Sequence, residues 1–147
     1  MKSLYSILYV SRASDHFRPD PGIEEIVRWS VEWNRSVGVT GTLIYSAGRF
    51  SQYLEGPQEK VEALFASIRA DPRHGDVMPV QAVSRQRRLF PRWSLAYAGD
   101  ASFIRNELVR LHSVARQGEE LGRLPSRMVQ IMYQLIRMRA ELEPAVH

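Results

Sequence analysis

The sequence predicts an α+β fold: a ferredoxin-like β-α-β-β-α-β-β sandwich followed by two C-terminal helices. Two observations predict the sandwich, since short runs rich in β-branched and aromatic residues alternate with segments of helical periodicity, and Gly, Pro, Asp or Asn mark the boundaries. A third predicts the appendage, because strand signal stops near residue 100 and only helical periodicity follows. A chain of 147 residues, 44% hydrophobic and 24% charged, is long enough to bury one core and has the composition of a globular protein.

Residues 4–11 are an apolar run of Leu, Ile, Val and Tyr and read as a strand, and the proline-bearing RASDHFRPDPG reads as a loop. Between residues 22 and 37, Ile23, Ile26, Val27, Val31 and Val37 recur at helical spacing, with Glu24 and Glu25 in the first turn, where carboxylates suit the helix dipole. This helix ends near Gly38. VTGTLIYS and RFSQYLEG follow as strands joined at Ala47-Gly48, a connection short enough for an antiparallel hairpin. Val61, Leu64, Phe65 and Ile68 give a second helix, stopped by Asp71-Pro72. Residues 77–84 and 93–97 read as two more strands around the basic turn RQRRLFPR, and residues 103–117 and 126–142 as two helices separated by Gly118, Gly122 and Pro125.

Composition narrows the function classes. Without cysteine there is no disulfide, thiol catalysis or Cys-ligated zinc, which accords with a cytoplasmic protein. SLYSILYV lacks a small-residue cleavage site and reads as a strand rather than a signal, and no apolar run reaches the roughly 20 residues of a membrane span. His16, His74, His112 and His147 are scattered, so no metal is expected, and neither GxGxxG nor a Walker loop is present. The net charge of +4 comes partly from residues 85–92, read as a solvated arginine-rich turn, with nucleic-acid binding as the minority reading.

The informative residues are polar ones on faces that should be buried. In RFSQYLEG the alternation puts Gln52 on one face with Phe50 and Leu54, where an amide without partners costs about 1–3 kcal/mol. On the first helix, at about 100° per residue, Ser30 and Asn34 fall in the centre of the apolar stripe. Alone, Ser30 reads as bonding back to a main-chain carbonyl and Asn34 as capping the helix end. The layout, however, sets the strand carrying Tyr9 next to that carrying Gln52, so a phenol, two amides and a hydroxyl converge between sheet and helix. Such a set holds donors and acceptors but no acid, base or activated nucleophile, and it suits a flat heteroatom-rich ring better than hydrolysis.

With these residues in place, the sequence resembles the BLUF family of flavin-binding blue-light sensors over residues 3–97. The resemblance rests on Tyr9 in the first strand, N-x3-GVTG at 34–41, F-x-Q-x-LEG at 50–56, D-x-RH at 71–74 and R-x-F-P-x-WS at 88–94. It implies a flavin, usually FAD with FMN or riboflavin as alternatives, lying between the two helices against the sheet. Asn34 and Arg73 would bond the ring carbonyls, and Gln52 would sit between Tyr9 and the N5/C4-carbonyl edge. Ser30, Phe50 and His74 match pocket positions, and Ile26 and Leu43 match apolar positions packing on the ring. The implied photocycle moves an electron and a proton from Tyr9, rearranges the Gln52 amide and leaves a lasting hydrogen bond to the flavin. Trp93 reads either as the tryptophan near the flavin or as core packing. Leu95 stands where the family often has methionine, a replacement that conserves volume.

The resemblance divides the chain into a photosensor at 1–100 and a helical extension at 101–147, and it predicts no enzyme activity. The alternative is a ferredoxin-like ligand- or nucleic-acid-binding module without photochemistry. Met128, Met132 and Met138, with Val129, Ile131, Leu135 and Ile136, give the last helix a wide apolar face. That face is expected either to carry output to a protein partner and homo-oligomer assembly, or to cover the second side of the sheet.

Overall fold

The computed structural model describes residues 4–91, 96–97 and 102–142. The opening apolar run is β1 (Leu4–Ala13), followed by α1 (Pro19–Val37), β2 (Thr40–Ser46), β3 (Arg49–Gly56), α2 (Gln58–Arg69), β4 (His74–Arg85) and β5 (Ala96–Tyr97). Two helices complete the described chain, α3 (Ser102–Arg116) and α4 (Leu124–Leu142). The predicted element order holds, with β4 starting earlier than its apolar run suggests because His74, Gly75 and Asp76 extend it alongside β1.

The strands form one five-stranded sheet in the order β4-β1-β3-β2-β5. Its first four strands pair antiparallel, and β5 joins β2 in parallel. β1 is therefore interior, beside the central β3, and Tyr9 lies opposite Gln52, which in turn lies opposite Leu43 on β2. This row of Leu43, Gln52 and Tyr9 across three strands puts their side chains on one face. The glycine of GVTG is required by close approach, because a Cβ on Gly41 would lie 2.0 Å from the carbonyl oxygen of Tyr53. α1 ends where predicted: Gly38 takes the left-handed conformation at φ 75°, and its N–H closes the last turn on Arg35 and Asn34.

Each face of the sheet has its own core. Ile7, Leu54, Val61, Leu64 and Phe65 pack beneath α2, while Ile23, Leu43 and Phe50 pack beneath α1. On the opposite face Leu8, Val10, Ile44, Tyr53 and Phe90 meet Ile104, Leu108 and Leu111 of α3 and Met128, Val129, Met132 and Ile136 of α4. Most of the apolar face of α4 is thus turned onto the sheet, and each fully buried Leu or Ile there contributes about 1.5–3 kcal/mol. Met138 and Tyr133 stay exposed.

The basic turn departs from expectation. Arg88 is not solvated with its neighbours: its guanidinium donates to Thr40 Oγ1 at 2.8 Å, to the Glu55 carbonyl at 3.2 Å and to the Gly38 carbonyl at 2.6 Å. The buried Glu55 carboxylate accepts from the backbone N–H of Leu89 at 2.8 Å and of Phe90 at 2.6 Å. Burial pushes its pKa up, and the bonds from Leu89, Phe90, Thr40 and the Arg88 charge pull against that. Arg88 and Phe90 thus fasten the turn to β3, which leaves fewer arginines for a phosphate-contact surface.

Candidate functional site

The predicted polar set meets in one cleft. A cavity of about 420 Å³ opens between α1, α2 and the sheet, lined by Tyr9, Ile26, Ser30, Asn34, Leu43, Phe50, Gln52, Arg73 and His74. Its volume is within the roughly 300–1,000 Å³ usual for small-molecule pockets. Trp29, Leu64, Ser67, Ile68 and Asp71 complete the wall. Of these, Leu64 and Ile68 carried no functional signal in the sequence because each also satisfies the core pattern of α2, and Trp29 carried none because it lies off the apolar stripe of α1. Trp93 and Leu95 lie outside the described residues.

At the back of the cleft the Tyr9 hydroxyl donates to Gln52 Oε1 at 2.5 Å. Both residues are buried, at 3% and 4% exposure, so the bond is shielded from water. Burial pushes the Tyr9 phenol far above its ordinary pKa, the Asp71 carboxylate pushes the same way, and only the Arg73 charge opposes them. Tyr9 is therefore a neutral donor at any physiological pH. With the carbonyl end of Gln52 turned to Tyr9, its NH2 end is the one available to the cleft.

Arg73 is aimed by its neighbour two residues back. Its Nε donates to both Asp71 oxygens at 3.0 and 2.9 Å, its backbone N–H to Asp71 Oδ1 at 2.9 Å, and one terminal nitrogen to Oδ2. The other terminal nitrogen is outside this fork and is left for a partner in the cleft. Partial burial works against the Asp71 carboxylate, but the hydrogen bonds and charge of Arg73 prevail and hold its pKa below the usual carboxylate value. The bonds that Arg73 donates to Asp71 likewise raise its own pKa.

His74 is committed differently from a free pocket residue. Its Nε2 faces the Ile68 carbonyl, which can only accept, so that nitrogen carries the proton and Nδ1 accepts from Ser11 Oγ at 2.8 Å. Both nitrogens are used in tying α2 to β1, and the ring meets Phe50 edge-on with centroids 5.8 Å apart. It can offer the cleft a ring wall but no further N–H. On α1 Ser30 and Asn34 are buried, whereas Trp29 and Trp33 stack on the outer face with centroids 5.8 Å apart.

This donor set fits a flavin ring. The Gln52 NH2, the Asn34 amide and the spare Arg73 nitrogen can meet ring carbonyls and nitrogens, and Ile26, Leu43, Leu64 and Phe50 supply apolar walls. An α+β sandwich with a Tyr–Gln pair behind such a cleft suits a flat, heteroatom-rich ligand, and comparison with known proteins names the family. Residues 4–96 match the family model of BLUF, sensors of blue-light using FAD, and the chain belongs to that family. Photoactivated adenylate cyclase subunit beta of Euglena longa is 37% identical over 99 residues, which are 65% of this chain and 11% of that protein. The blue light- and temperature-regulated antirepressor BluF of Escherichia coli strain K12 is 36% identical over 75 residues, 51% of this chain and 18% of its length. This chain thus spans a small part of those relatives. Among solved structures, the dark-state BLUF protein BlrB superposes with a TM-score of 0.71 at 29% identity, over 95% of this chain and 98% of its own. BlrP1 of Klebsiella pneumoniae superposes with a TM-score of 0.62 at 27% identity, over 73% and 28%.

Proposed function

We propose that this chain senses blue light through a non-covalent flavin held in the α1–α2 cleft, with Tyr9 and Gln52 as its switch and Asn34 and Arg73 as its anchors. The observation that carries the reading is the buried Tyr9–Gln52 hydrogen bond at the cleft wall. Ile26, Leu43 and Phe50 would pack on the ring, and Ser30 and His74 would close the wall. When bound, a flavin supplies blue-light absorption and an excited state that accepts an electron.

Tyr9 is suited to be the electron donor. Its phenol holds its proton in the resting state, and an oxidised phenol is strongly acidic, so electron loss releases that proton along the bond to Gln52 Oε1. A proton accepted there turns the carbonyl end into a donor, and the amide can exchange its ends by rotating or tautomerising. Gln52 would then present a different hydrogen-bonding group to the cleft. Asn34 and Arg73 would keep the ring in place meanwhile.

FAD is the flavin proposed, with FMN and riboflavin as the alternatives. Output would pass to a protein partner, with self-association as a further expectation, and residues 1–100 would act as the sensor and 101–147 as its helical extension. Among the described residues no helix is long and apolar enough to cross a membrane, and the lack of cysteine accords with a cytoplasmic setting.

The test is an absorption spectrum before and after blue light. The purified protein should be yellow and show a reversible red shift of the flavin band. Tyr9→Phe and Gln52→Leu should each keep the flavin and lose the lasting shift. A protein that stays colourless after incubation with FAD, or a normal shift in either variant, refutes the assignment.

A further inference from the structure

On the face of the sheet turned away from the flavin-type cleft, β3 begins with Arg49, which alternation puts opposite to Phe50. Arg49 lines a second cleft of about 410 Å³ with Val109, His112, Ser113, Arg116 and Gln117 at the end of α3. Two further guanidiniums belong to this corner. Arg12 is the register partner of Arg49 across β1 and β3, and Arg105 shares the α3 face of Val109, His112 and Arg116 by its spacing of four, seven and eleven residues. Like charges directly opposite on paired strands cost stability, a cost that a negative group between them would relieve.

The protein supplies only a small part of it. Asp76 pairs with His112 Nε2 at 2.9 Å and Arg116 Nε at 3.2 Å, and among the described residues no carboxylate pairs with Arg12, Arg49 or Arg105. Arg49 Nε is buried without a hydrogen-bond partner, as is Nδ1 of His112, whose side chain is 2% exposed. An unmet donor on a charged group is more costly than the roughly 1–3 kcal/mol of a neutral one. The Arg49 pKa is held below its ordinary value, chiefly by burial and then by Arg12, Arg105 and Arg116, which agrees with mutually close guanidiniums lacking a counter-charge.

We propose that the Arg49–Arg116 cleft binds a small phosphate-bearing anion. Planar guanidinium forks match phosphate oxygens in pairs, and a multiply charged anion balances several arginines where a single carboxylate cannot. The occupant would also bear on the switch side, since Arg12 follows Ser11, the partner of His74, and Asp76 lies two residues beyond His74. The site stands independently of the flavin assignment.

Calorimetric titration of the full chain with inorganic pyrophosphate, at fixed ionic strength, tests it. Saturable one-site binding is expected. Arg49→Gln and Arg116→Gln should each weaken it about tenfold, the effect of losing one charge-assisted hydrogen bond, while Arg87→Gln, in the turn beyond the far end of β4, should leave it unchanged. Circular dichroism checks folding, and Arg116→Gln at the half-exposed helix end keeps the test intact if Arg49→Gln does not fold. No saturable binding, wild-type affinity in both cleft variants, or heat reproduced by added sodium chloride alone overturns the proposal. So does tighter binding of a glutamate-rich peptide than of pyrophosphate, which would make the occupant an acidic protein segment.

Discussion

The two faces of the sheet are built from the same strands by opposite rules. Leu8, Val10, Ile44 and Tyr53 look onto α3 and α4 and are sealed by their apolar side chains. Tyr9, Leu43 and Gln52, one residue along or across, look onto a cleft of about 420 Å³. The packed face carries the folding free energy, and the cleft face gives some of it up to keep polar groups turned toward a ligand. A buried amide in a strand is tolerable only on the second kind of face, where a phenol on one side and a ligand on the other satisfy it.

If that division holds, the largest stability loss comes from the packed face. Leu108 is fully buried on α3, and Leu108→Ala should cost about 2–5 kcal/mol in urea unfolding of the flavin-free protein. Leu43→Ala, beside an existing cavity, should cost less, because part of the space it vacates already borders open volume. Equal losses at the two sites would show that the cleft face is packed as tightly as the other.

The carboxylates sharpen the comparison through pH. Glu55, buried with the packed side, has a raised pKa, so its contribution to stability is fully present below its ordinary carboxylate value and is lost as pH rises through the raised one. Asp71, at the cleft, has a lowered pKa, so its contribution is present above its ordinary value and is lost as pH falls through the lowered one. Unfolding measured from neutral to acid pH should therefore show wild type gaining on Glu55→Gln just above the ordinary Glu value. Below the ordinary Asp value it should lose ground to Asp71→Asn. Parallel pH profiles in both variants would remove the electrostatic contrast.

Much of this was legible in the chain because period-2 and period-3.6 patterns assign each residue a face, and a polar residue on the apolar face stands out. Gln52, Ser30 and Asn34 were found that way, and Tyr9 by topology. What stayed hidden depends on which partner a versatile group chooses. In RQRRLFPR the R-x-F-P-x-WS spacing sets Arg88 apart from Arg85 and Arg87, but not its partners, which are Thr40 and the Gly38 and Glu55 carbonyls. A hint was Glu55, an acid that alternation puts on the face of β3 shared with Ser51 and Tyr53. His74 lines the cleft, but the sequence does not reveal that the Ile68 carbonyl and Ser11 already occupy its ring nitrogens.

The smallest expected effect is the most diagnostic of the cleft. In the flavin-free protein, Gln52→Leu leaves the buried Tyr9 hydroxyl without its acceptor and Tyr9→Phe leaves Gln52 Oε1 without its donor, so each should cost about 1–3 kcal/mol of unfolding free energy. The double variant removes both ends together. It sets two apolar side chains beside Phe50, Leu43 and Leu54, and replacing both partners of a buried bond by apolar groups of similar shape is nearly neutral. The double should then lie within about 1 kcal/mol of wild type, so that the coupling between the sites approaches the sum of the two single losses, as neighbours sharing one bond require. Strict additivity of the two single losses would mean that the resting Tyr9–Gln52 bond contributes nothing to the fold. Gln52 would then need its partner from the ligand alone.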